Sequence, residues 1–150
     1  WVREFLRELR ENMIRKLHDE LQMYKKITYE QVEKKEKLYV YTTVCGTKVS
    51  TKDEEDENEK TENAASFDSC KTVIETHDSD LLERTVRYVL ERYKCNLHEM
   101  HYHCKREYII YICKLLASTL DTVKSTYEHI TETELLAILE SNTKKELHGN

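Results

Sequence analysis

The chain of 150 residues contains no proline and only two glycines, Gly46 and Gly149. Tight turns lean on these two residues, because proline presets one backbone angle and glycine reaches positive φ at no steric cost. A many-stranded sandwich or barrel is therefore disfavoured, and two isolated glycines cannot build a Gly-rich phosphate loop or a nucleophile elbow. What the composition favours is a helical fold. A chain of this length buries about 70% of its unfolded surface, enough for one core without metal or disulfide staples.

Hydrophobic spacing divides the chain into elements. Val2, Leu6, Leu9, Met13, Leu17, Leu21 and Tyr24 recur at gaps of three and four, which predicts a helix over about 1–26, roughly 39 Å long. Thr28-Tyr-Glu-Gln31 has the form of a capping box and predicts a second helix from Tyr29 to about Val44. The same stretch is rich in aromatic and β-branched residues over 38–50, so a small hairpin around Cys45-Gly46 is the alternative there. Asp80-Leu-Leu-Glu83 opens another helix, with Leu82, Val86, Val89, Leu90 and Tyr93 at helical spacing. From Leu97 to Tyr127 there is no proline or glycine. A single helix there would be about 46 Å long, longer than the roughly 38 Å of a compact body this size, so a bend near 117–119, or an elongated bundle, is predicted. Thr131-Glu-Thr-Glu134 is a further capping box before the last helix, and 142–150 is expected to fray. The fold class expected is all-α: a five- to six-helix bundle in one domain, 1–150.

The net charge of -5 has a single origin. Between Lys52 and Asn63 there are seven acidic residues and two lysines, which accounts for all of it. This low-hydrophobicity run predicts an acidic flexible loop over 50–69, separating two helical halves. The remaining chain is neutral, which disfavours nucleic acid and anionic membrane surfaces. The longest apolar run, 108–113, is far short of the roughly 18 residues a bilayer span requires. Five cysteines cannot all pair within one chain, and no Asn-x-Ser/Thr sequon is present. Both features point to a reducing cytoplasmic or nuclear setting. A start at Trp1 also suits a processed, secreted four-helix signalling protein, the alternative reading.

The densest group of chemical side chains is Cys95, His98, His101, His103 and Cys104. Imidazole and thiolate suit zinc, and a site would combine His98, His101 and Cys104 with Cys70 or His77. On a helix, however, positions three apart drift about 60°, so these ligands fan out and no metal or other cofactor is expected. The His-Glu-x-x-His protease pattern is broken by Tyr102. A Cys104–His101 pair lacks the glycine turn or helix start that would supply an oxyanion site, so no enzyme and no small-molecule substrate are expected. Tyr108, Ile109, Ile110, Tyr111 and Ile112 make a helix apolar on every side, either a bundle centre or a surface for a partner. The function expected is a non-enzymatic helical interaction module, scaffold- or adaptor-like, binding a protein partner or a second copy of itself.

Overall fold

The computed structural model describes residues 2–23, 35–43, 46–52, 67–123 and 130–147. In chain order these form α1 (Val2–Met23), β1 (Glu36–Thr43), β2 (Gly46–Ser50), β3 (Phe67–Thr76), α2 (Ser79–Val89), a 3-10 turn (Glu91–Tyr93), β4 (His101–Tyr102), α3 (Arg106–Val123) and α4 (Glu132–Leu147). The strands make one antiparallel sheet in the order β3-β1-β2-β4. The fold is thus mixed α/β and not a five- to six-helix bundle. Among the described residues, four helices and a four-stranded sheet replace the all-α architecture expected from composition.

The correction begins at 36–50, where hairpin wins over helix. Val40 pairs with Val49 across β1 and β2, and Leu38 lies opposite Ile74 on β3. Leu38, Val40, Val49 and Ile74 are all buried on the inner face. Alternation of this kind lets β-branched and aromatic side chains pack on both sides of a pleat, which no helix register of the same residues achieves. Gly46 adopts φ +126°, and a Cβ there would stand 2.6 Å from the Tyr102 carbonyl oxygen. The predicted helix start at Tyr29 lies outside the described residues, as does most of the acidic run. That run does not separate helical halves, for it connects β2 to β3 of the same sheet, and 67–69 belongs to β3.

A second correction concerns 97–127. Cys95 N–H donates to the His101 carbonyl at 2.8 Å and His103 N–H to the Tyr93 carbonyl at 2.7 Å. The chain therefore doubles back through Met100, which takes a positive φ of 63°. Val49 N–H reaches the Met100 carbonyl at 3.0 Å, so the reversal is held by β2. Only then does α3 begin, and its helix runs on through Ala117-Ser118-Thr119, where length alone predicts a bend.

The other helices follow their apolar spacing. In α1, Leu9, Met13, Leu17 and Leu21 are buried. The cap of α2 is Asp78, two residues before the predicted acid, its carboxylate accepting from Leu81 N–H at 2.9 Å. Thr131 caps α4 by accepting from Glu134 N–H at 3.1 Å. Instead of fraying at Asn142, α4 continues to Leu147, because buried Asn142 donates to Thr119 Oγ1 at 3.3 Å and Tyr111 donates to the Thr143 carbonyl at 3.1 Å.

α2 and α3 lie against the inner face of the sheet, while α1 packs on α2, α3 and α4 from the far side. α1 and α2 are joined at their exposed edge by Glu20, which accepts from Arg84 Nη2 at 2.9 Å and meets Lys16 Nζ at 3.2 Å. The hydrogen bond from Arg84 is the main reason the Glu20 carboxyl titrates below its ordinary value, against an opposing push from burial. No described helix is long and apolar enough to cross a membrane.

Two outcomes are expected. Gly46→Ala costs about 1–3 kcal/mol or more in urea unfolding, because the added methyl meets positive φ and a backbone carbonyl together; a helix through this position would instead be strengthened. Glu20→Gln loses about 0.5–1 kcal/mol at pH 7. Since the folded carboxyl is depressed, that contribution is present above the unfolded pKa and disappears as pH falls through the folded value, so the two stability curves should converge in acid.

Candidate functional site

The two edges of the sheet differ. At one, β4 has only two residues and is itself bridged by Lys94 to Tyr102. At the other, β3 is ten residues long and pairs with β1 on one side, and among the described residues no strand pairs with its other side. Unpaired strand edges present backbone donors and acceptors ready for a further strand.

The pleat gives β3 two sets of side chains. Thr72, Ile74 and Thr76 face the helices, with Ile74 and Thr76 buried. Lys71, Val73 and Glu75 face outward, and Val73 is 41% exposed. Their neighbours on the outer face are Tyr39 and Tyr41 of β1, stacked with ring centroids 6.3 Å apart, and Lys71 Nζ stands 5.6 Å from the Tyr39 ring centre. Tyr41 is buried, and its hydroxyl donates to the Lys52 carbonyl at 3.4 Å.

α3 runs along the β3 edge and is tied to it at both ends. Near its start Arg106 donates to Thr72 Oγ1. Near its end Asp121 Oδ1 lies 2.7 Å from His77 Nδ1, with Lys35 Nζ 3.6 Å from the other carboxylate oxygen. Between the two ties lies a groove of about 170 Å³, with Val73, Ile74 and Glu75 on the strand side and Lys114, Ala117, Ser118 and Asp121 on the helix side. Ala117 and Ser118 are small, and that is what leaves the space.

A His–Asp pair also has the form of the orienting half of a hydrolase triad. The nearby Ser79 is committed elsewhere, however: its hydroxyl donates to Glu36 Oε1 at 3.3 Å and its side chain is buried. Cys104 and Cys113 are no better placed as nucleophiles. Burial pushes Cys113 up to about 12 and raises Cys104, so both stay protonated near neutrality. His77 and Asp121 thus fix the end of β3 to α3.

The residues singled out from sequence fall elsewhere. Ile109 and Ile112 are wholly buried in the core, Tyr108 packs with its ring centre 5.1 Å from that of Phe5, Ile110 is half-buried, and Tyr111 bonds α4. His98 and His101 lie on the reversal before α3 rather than on a helix, their ring centres 5.4 Å apart. Cys104 is half-buried nearby, His77 is held by Asp121, and the Cys70 side chain lies outside the described residues. Among the described residues no three His, Cys, Asp or Glu side chains are grouped to hold a metal ion. A wider groove of about 420 Å³ between α1 and α4 has charged walls, Arg10, Glu11, Arg15 and Glu132, of which Arg10 is paired with Glu140 at 3.2 Å. No family model, curated protein or solved structure matches the chain.

Asp121→Ala should cost about 1.5–3 kcal/mol, the worth of a charged hydrogen bond to a largely buried partner. Its effect should be seen in amide exchange as loosening of β3 near His77, while α1 keeps its protection.

Proposed function

We propose that this chain is a non-enzymatic protein-interaction module that takes up an extended protein segment by strand addition along β3. The observation that carries the reading is a ten-residue edge strand with a groove beside it, held open between two side-chain ties. In this mode backbone hydrogen bonds supply affinity and alternate side chains supply specificity. The exposed Val73 offers an apolar anchor on the outer face, and the Ala117–Ser118 notch accepts a side chain from the other. Beside Lys114 the groove is bordered by Glu75 and Glu146, which favours segments that carry a basic residue. The contact surface is therefore the sheet edge, in place of the exposed helical faces expected from sequence. Free thiols at Cys95, Cys104 and Cys113 support a reducing compartment.

Selection from a random decapeptide phage library tests the reading. Selected peptides should shift the amide resonances of Lys71 to Glu75 and of Ala117 and Ser118, and should bind at least about tenfold more weakly to Val73→Lys. Peptides that shift only α1 and α4 resonances would place the interaction surface on the helices.

A further inference from the structure

We infer that the strand added along β3 is β3 of a second copy, in antiparallel register with Val73 on the two-fold axis. This rests on the strand-addition reading and names its partner. Two identical antiparallel strands joined into one continuous sheet are related by a two-fold axis normal to that sheet. Such an axis sets one residue opposite its own counterpart and keeps the helices of both copies on the same side. The outward series Lys71, Val73, Glu75 then selects the residue. With the axis at Val73, Lys71 faces Glu75 of the second copy, Glu75 faces its Lys71, and the two exposed valines meet. An axis at Lys71 opposes two lysines, one at Thr72 sets Lys71 against Val73, and one at Ile74 sets Val73 against Glu75. Opposite charges and β-branched pairs directly across a ladder stabilise it, whereas like charges destabilise it.

The surroundings agree with this register. Within its own sheet Glu75 lies opposite Lys37 of β1, so in the dimer it stands between two lysines. Lys71 keeps its place beside the Tyr39 ring. On the inner face, half-buried Thr72 falls opposite the buried Ile74 of the second copy. The two-residue β4 edge has no comparable length to offer.

Sedimentation velocity of the full chain over a concentration series tests the inference. The wild type should dimerise with rising concentration. Lys71→Glu and Glu75→Lys each place like charges in both cross-axis pairs and should weaken the dimer at least about tenfold. The double variant Lys71→Glu/Glu75→Lys restores opposite charges and should regain wild-type association. Val73→Lys, at an exposed position, should give a folded monomer by circular dichroism. A wild type that stays monomeric throughout, or a dimer indifferent to both single reversals, overturns the proposal. If the monomeric chain still selects decapeptides that shift β3 resonances, only the second copy falls; if it selects none there, strand addition falls with it.

Discussion

A helix that is apolar around most of its circumference must be covered from more than one direction, and α3 is such a helix. Ile109, Ile112, Cys113, Leu115, Leu116, Leu120 and Val123 are buried along it, and Tyr108, Ile110 and Tyr111, on its other flanks, are partly buried against the core. Consecutive positions turn about 100°, so no single neighbour can cover this set. The sheet takes one side of α3, and α1, α2 and α4 take the others. The rest of the molecule is arranged to meet that requirement: the hairpin, the strand that returns as β3, and the reversal before α3 all deliver cover to one helix.

The same arrangement defines the exposed edge. Because α3 runs along β3 and is tied to it through Arg106–Thr72 and Asp121–His77, the stretch Lys71 to Thr76 is held in place although β3 has a strand neighbour on one side only among the described residues. An edge strand held this way does not have to be ordered by its partner, so less of the association free energy goes into fixing the backbone. Small residues on the facing turn of α3 leave the room that an added strand's side chains need.

The helices are legible from the sequence because their signal is local. Leu9, Met13, Leu17 and Leu21 repeat within one window, and Thr131 and Glu134 form the cap that their spacing suggests. The sheet is harder to read, since its stabilisation is non-local: Leu38 of β1 finds Ile74 of β3 across the whole acidic run. A window over 29–44 sees capping residues and i,i+4 charge pairs but cannot see that partner. One local signal for the sheet does exist. Lys71-Thr-Val-Ile-Glu-Thr76 is rich in β-branched residues, which favour a strand, although its two apolar residues are adjacent and so do not alternate. The reversal at 94–105 has no such signal, because Met100 adopts positive φ without being glycine. Scarcity of glycine and proline therefore limits the number of turns without forbidding them. The site follows the fold: an edge cannot be located until its strand order is known, and in the apolar run at 108–112 Ile109 and Ile112 belong to the core while Tyr108, Ile110 and Tyr111 are partly buried against it.

Residue-resolved amide exchange of the full chain at several protein concentrations tests the account most directly. Amides of β1, paired on both sides, should be protected at every concentration. Alternate amides between Lys71 and Thr76, those pointing to the open edge, should exchange fast in dilute solution and become protected as concentration rises. Protection of every β3 amide at high dilution would mean that the edge is already covered within the chain, and would contradict strand addition at β3.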